Sequence, residues 1–273
     1  MTDPEGGPKR NAGGGRLTAR WAELEDAFRL AVGLLTVVSA QVTRADRRTA
    51  GLAMALAPFV GACLGLVAAL VADVAGWLGL TDFIAATLAI GALAVLTGLL
   101  HLDGLADTAD AVGSRKPAAE ALAVMKESDI GPFGVVTVLF VVLLQIGALT
   151  SAIASGRGTA ALLLAATAGR LVVPIACRRG VPAARPSGLG ALVAGSVSPL
   201  GLVLAATTAV AAALAAVPLS DLELWRPLVA VTLAAGVGWL LLSWLVRRFT
   251  GITGDILGAL VEATTTVVLL TVA

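Results

Sequence analysis

One stretch, HLDGLADTADAVG (101–113), carries the chain's only histidine and three aspartates, directly after an eighteen-residue apolar run. On a helix of 3.6 residues per turn, Asp103, Asp107 and Asp110 fall at about 0°, 40° and −20°. If the segment is helical, the three carboxylates share one face, within reach of one ion. Carboxylates at that spacing repel each other, which is costly near a low-dielectric region. A hard divalent cation is the simplest compensation, and Mg2+ takes carboxylate oxygens while leaving positions for phosphate oxygens. The plainer alternative is a solvated helix end that marks a membrane boundary. His101 could orient a carboxylate, bind phosphate or accept a proton, although a lone histidine there is more often a local hydrogen-bonding residue. No second His or Cys stands at zinc spacing around it, so zinc is not expected.

Other candidates follow along the chain. VMKESDIGPFG (124–134) offers Lys126 to phosphate, or to the membrane surface as a positive anchor, before Gly131 and Pro132 open the next apolar run. Arg170 lies well inside an apolar run, where an arginine faces a cavity or a partner, and its guanidinium fork suits phosphate. Arg185 and Ser187 belong to VPAARPSGLG (181–190), a Pro- and Gly-rich loop whose amides and guanidinium could cradle an anion. In GITGDILGALVE (251–262), Thr253 is a phosphate-binding candidate. Asp255 could cap a helix, bind the same metal, or do both. Glu262, farther into that run, wants a partner.

The elements that must position these residues are apolar helices. The chain of 273 residues is 58% hydrophobic and 14% charged, too little charge to cover a soluble surface. Continuous rather than alternating apolar runs exclude a β-barrel. The expected fold is all-α, a polytopic membrane bundle with spans near 50–72, 83–100, 132–154, 159–177, 200–218, 227–246 and 256–273. Residues 28–42 are expected to form a short interfacial or re-entrant helix. Residues 1–27 read as a disordered polar tail, and 28–273 as a single transmembrane catalytic domain. Sixteen of the nineteen Lys and Arg fall on one side of this layout, which the positive-inside rule makes cytoplasmic. The loops 101–131, 178–199 and 247–255 share that side. Cys63 and Cys177 have neither redox nor zinc spacing and read as packing residues. The glycines show no evident period. A net charge of +1 points to no particular partner, and none of nucleic acid is expected.

HLDGLADTADAVG, MKESDIGPFG, the GR…ARPSGLG pair and GITGDILGA occur in an order that resembles the cobalamin synthase family, the adenosylcobinamide-GDP ribazoletransferases. The resemblance covers nearly the whole chain. Two positions depart from it: the family pattern carries a basic residue at or near Asp129 and a threonine-like residue near Pro132. It implies a Mg2+-dependent enzyme of the cytoplasmic (inner) membrane, its site facing the cytoplasm. That enzyme joins adenosylcobinamide-GDP to α-ribazole or its 5′-phosphate and releases GMP. On that basis Asp103, Asp107, Asp110 and His101 are the catalytic candidates, with Asp103, Asp107, Asp110 and Asp255 on metal. Lys126, Arg170, Arg185, Ser187 and Thr253 are the candidates for substrate phosphate. A homo-oligomer and association with other cobalamin-biosynthesis enzymes stay open.

Two competing readings remain at this stage. One is a CDP-alcohol phosphotransferase, which would carry an AR pair after Asp103-Gly104 that is lacking here. The other is an ion-coupled transporter, which would place ionisable residues near mid-membrane, where only Arg170 and Glu262 fall.

Overall fold

The computed structural model describes residues 12–42 and 46–273. Residues 1–11 of the expected tail, and Arg44, lie outside the described residues. In order, the helices are α1 (Ala12–Leu35), α2 (Arg47–Ala55), α3 (Ala57–Trp77), α4 (Asp82–Leu96), α5 (Leu100–Gly113) and α6 (Ala118–Val124). They continue with α7 (Pro132–Ala154), α8 (Gly158–Ala176), α9 (Leu189–Val193), α10 (Pro199–Ala216), α11 (Trp225–Phe249) and α12 (Gly254–Val272). Among the described residues there is no strand, only two isolated bridges, so the all-α bundle expected from the apolar runs is what forms.

Six helices, α3, α7, α8, α10, α11 and α12, are long and apolar enough to cross a membrane. The seventh expected span, 83–100, takes a different form. Its helix α4 stops at Leu96, and the chain turns through 87° into α5. Gly98 and Leu99 make that turn with left-handed φ values of 60° and 57°. The Leu99 amide donates to Ala94 O (2.8 Å) and the Gly98 amide to Val95 O (2.9 Å), which satisfies the last carbonyls of α4. A hydropathy window cannot see such a turn, because Leu99 and Leu100 extend the apolar run past it. We therefore place α5 outside the spanning segments.

The N-terminal expectation needs a larger correction. The segment 12–27 is helical, and α1 ends at Leu35 rather than near residue 42. Ala27, Leu30, Ala31 and Leu35 are buried at helical spacing, while Trp21, Leu24 and Phe28 remain exposed. This one-sided pattern holds α1 against α2 and α3, and α1 is not among the helices apolar enough to cross.

At the centre stands α8, buried on nearly every side and packed most extensively against α3 and α12. Two glycines allow the first contact: a Cβ on Gly65 would sit 2.6 Å from Leu162 O, and one on Gly61 would strike Ala166 O. Gly61 and Gly65 form a G-x-x-x-G pair, the small-residue seam by which membrane helices approach closely. Toward α12, Thr264 donates to Gly169 O at 2.9 Å. Cys63 and Cys177 are both free thiols.

Both ends of the bundle are pinned by polar contacts. At one end Arg157 pairs with Asp221 (3.3 Å) and Thr159 bonds Asp73. At the other, Arg248 donates to Lys116 O, and the loop before α9 meets the start of α12.

Candidate active site

The site is built where α5 crosses the start of α12. The two helices interlock through glycines from both sides. A Cβ on Gly104 would lie 2.6 Å from Asp255 O, and one on Gly258 would lie 3.0 Å from the Cα and O of His101. The glycine inside HLDG therefore lets the aspartate helix rest on the backbone of Asp255.

Along α5 the three carboxylates differ. Asp103 is exposed, and Asp107 and Asp110 are part-buried. Asp110 is committed to the fold. Its two oxygens accept from the Gly131 amide (2.8 Å) and the Gly134 amide (2.9 Å), at the first turn of α7. Free amides and the helix dipole make that turn a good seat for an anion. Side chains on Gly131 or Gly134 would collide with the carboxylate, and Pro132 between them sits at the helix start, where it has no amide to waste. Asp110, expected on a metal and in catalysis, is thus engaged as the cap of α7. Replacing it by alanine is expected to cost about 2 kcal/mol, read as lowered thermal stability in detergent, with Asp110→Asn milder because its amide oxygen can still accept. An unchanged melting temperature for Asp110→Ala would contradict the capping role.

A second wall comes from two distant loops running side by side. The Ala184 amide donates to Ile252 O (3.0 Å) and the Ile252 amide to Pro182 O (3.0 Å). This pairing needs Gly251, where a Cβ would lie 2.5 Å from Ala184 N. It places Arg185 between α6 and α12: Nη2 donates to Leu122 O (2.5 Å), and Nη1 is 3.6 Å from Asp255 Oδ2. Thr253, rather than Asp255, caps α12, its hydroxyl accepting from the Ile256 amide at 3.2 Å. Asp255 occupies the first turn of that helix, with its carboxylate left to the site.

The charges of Asp103, Asp255 and Asp110 all act on Asp107. Its carboxyl is pushed up from 3.8 to about 6, first by burial and then by those three neighbours, with Arg185 opposing them. Four carboxylates against one guanidinium is an acid-rich cluster whose donors are the hard oxygens that Mg2+ takes. With Asp110 engaged by α7, the set that fits in kind is Asp103, Asp107 and Asp255. Among the described residues, no three such side chains converge tightly enough in this conformation to hold a metal ion.

Cavities flank α5 on both sides. One of about 220 Å3 is lined by His101, Asp103 and Asp255 together with aliphatic residues. The other, about 250 Å3, is lined by Asp107, Asp110, Lys116, Glu127 and Asp129.

Three of the expected phosphate ligands stand apart. Lys126 is exposed on the turn after α6, and Ser187 is exposed in the loop before α9. Arg170 is 3% exposed and lines a separate cavity of about 30 Å3 with His101, Gln145, Glu262 and Thr265. Its Nη1 donates to Ala166 O (3.1 Å), and its Nε has no hydrogen-bond partner among the described residues. Gln145 holds Glu262 (2.8 Å) and Thr266 (3.1 Å). His101 lines both this chamber and the larger one, so Arg170 sits behind the site, screened by the histidine.

The sequence profile of the cobalamin-5-phosphate synthase family matches residues 27–273, which takes in every element of the site. The chain belongs to this family. It is 45% identical to an adenosylcobinamide-GDP ribazoletransferase of Frankia casuarinae, over 90% of this chain and 93% of that protein. Proteins with the same name from a Nocardioides species and Bradyrhizobium diazoefficiens are each 37% identical, over 88% and 90% of this chain and 94% and 92% of theirs. No solved structure matches. Membership in the cobalamin-5-phosphate synthase family removes the CDP-alcohol phosphotransferase and transporter readings. Within it, HLDGLADTAD is the segment that supplies Asp103 and Asp107 and the glycine on which α5 rests against α12.

Proposed function

We propose that this chain transfers the cobinamide phosphoryl group of adenosylcobinamide-GDP to a ribose hydroxyl of α-ribazole or its 5′-phosphate. The hydroxyl oxygen forms a bond to the phosphorus that carries cobinamide, and the bond from that phosphorus to the bridging oxygen of GMP breaks. The hydroxyl proton passes to a carboxylate of the α5 row, and GMP leaves with the electron pair. The product is adenosylcobalamin or its 5′-phosphate. The observation that carries this reading is the meeting of Asp103, Asp107, Asp255 and Arg185 at the crossing of α5 and α12, in a chain matched along its length by named ribazoletransferases.

The protein's share of the chemistry is mostly positioning and electrostatics, as phosphoryl transfer requires. Arg185 is fixed by Leu122 O and Asp255, so its remaining N–H groups are aimed without further ordering. A preset donor of that kind stabilises charge that grows on phosphate oxygens. Asp103, exposed beside the cavity of about 220 Å3, is placed to receive the acceptor hydroxyl. Asp103, Asp107 and Asp255 would hold Mg2+, which when bound neutralises the pyrophosphate. The site would face the cytoplasm at the inner membrane, because sixteen of the nineteen basic residues fall on this side of the layout read from the sequence.

The test is GMP release by purified protein in liposomes given adenosylcobinamide-GDP, α-ribazole 5′-phosphate and Mg2+. Release should require both substrates and stop on chelation. GMP formed equally well without the acceptor would mean a hydrolase, and its absence under all conditions would end the proposal.

A further inference from the structure

We infer that the 220 Å3 cavity beside Asp103 is the seat of the acceptor's apolar bicyclic base, a dimethylbenzimidazole-type ring, with the sugar hydroxyl directed at the carboxylates. This rests on the transferase reading and goes beyond it by dividing the substrates between parts of the site. Three bulky groups must be housed near the reacting phosphorus: a corrin macrocycle, a guanine and the acceptor's base. The cavity discriminates among them by size and by the chemistry of its walls.

Size excludes the corrin. Pockets for drug-sized ligands begin at roughly 300 Å3, and this one, at about 220 Å3, has room for one fused bicyclic ring and part of a sugar. The walls disfavour guanine. Among the described residues, the polar side chains lining the cavity are His101 and Asp103 from α5 and Asp255 from the first turn of α12. Every other side chain is aliphatic or methionine, among them Leu35, Met54, Val173 and Val261, contributed by α1, α2, α8 and α12. Guanine would leave ring donors and acceptors unpaired against them, a loss an apolar ring does not suffer. A nucleoside with an apolar base matches the division: its ring lies among the aliphatic side chains, and its ribose meets the three polar groups. The hydroxyl then arrives beside Asp103, where the proposed chemistry needs it.

The cavity is assembled from distant parts of the chain, α1, α2, α5, α8, α9 and α12 all contributing to its lining. Val173 is 2% exposed and lies on α8, a helix that carries no carboxylate, so changing it alters the cavity's shape without replacing a charged group.

The experiment compares wild type with Val173→Phe and Val173→Ala in liposomes, measuring GMP release with α-ribazole and with the smaller imidazole riboside. Val173→Phe is expected to raise KM for α-ribazole about tenfold or more. KM for adenosylcobinamide-GDP should stay within about twofold, with preference shifted toward the imidazole riboside. If the phenylalanine variant does not fold, Val173→Ala carries the test, with KM for α-ribazole raised about threefold to tenfold and that for the corrinoid unchanged. An equal rise in both KM values, a rise for the corrinoid alone, or no change in acceptor KM in a folded variant would overturn the assignment. Wild type that releases no GMP would instead overturn the transferase reading beneath it.

Discussion

Replacing Asp103 and Asp107 together by asparagine should lower GMP release by about a thousandfold or more, with thermal stability kept or raised. The two halves of that expectation come from one cause. Asparagine keeps the shape of aspartate and removes its charge, and the charge is what phosphate chemistry at this site would use through a bound cation. The same charge strains the metal-free fold, since Asp107 ionises against Asp103, Asp255 and Asp110 with only Arg185 to offset them. Its carboxyl titrates near 6 in the folded chain against 3.8 as a free group, so the native state binds the proton more tightly than the unfolded one. The stability this group contributes is complete below about 3.8 and is lost as pH rises through about 6. A melting series across that window in chelator should therefore fall with pH for wild type, and less for Asp107→Asn. Sites that gain stability when activity is removed are the ones where function holds like charges together. Full activity in the double variant would show that the carboxylates are a boundary feature after all.

Spacing along one helix was enough to gather Asp103, Asp107 and Asp110, because a helical face depends only on local geometry. What each carboxylate does there was not legible. Asp110 shares the face and yet belongs to α7, and the signal for that lay in IGPFG, where two glycines around a proline leave amides open to an anion. Arg185 and Asp255 stand seventy positions apart, and only the return of α8 and α11 to the same end brings them within 3.6 Å. Contacts of that kind are set by packing of the whole bundle, which no local pattern encodes. The glycines were the other blind spot. Gly61, Gly65, Gly104 and Gly258 have no common period, since each answers to a different neighbour: α8 for the first pair, α12 and α5 for the second. Hydropathy located the spans from α7 onward to within a few residues, but its 50–72 merged the end of α2 with α3, which spans Ala57–Trp77 after a break at Leu56. It overran at Gly98–Leu99 and gave no sign that the polar residues from 12 onward join α1, because a helix with one buried face carries too little apolar residue to stand out.

Arg170→Ala is expected to damage the fold more than substrate binding, reversing the role that depth in a membrane and a guanidinium fork suggest for it. Arg170 is almost fully buried, and it shares its small chamber with Glu262, within electrostatic reach. Removing one charge of such a set leaves the other uncompensated in a low-dielectric interior, which costs about 3–5 kcal/mol. Gln145 would still hold the Glu262 carboxylate by its Nε2, which Thr266 also fixes by accepting from it, so the carboxylate could not simply turn away. The double variant Arg170→Met with Glu262→Met should recover much of the loss, because apolar side chains of similar size can replace a buried charge pair. Thermal melting in detergent reads the cycle, and a non-additive recovery is the signature of groups that act on each other. Activity per folded molecule in that double variant should then stay within about tenfold of wild type, since His101 stands between the chamber and the cavity that would receive substrate. The opposite pattern, normal melting for Arg170→Ala with a large rise in KM for the GDP-activated substrate, would mean that the chamber opens and the guanidinium reaches phosphate. Only a rearrangement of His101, whose backbone rests against Gly258, could allow that, and Gly258→Ala would then alter activity through the same contact.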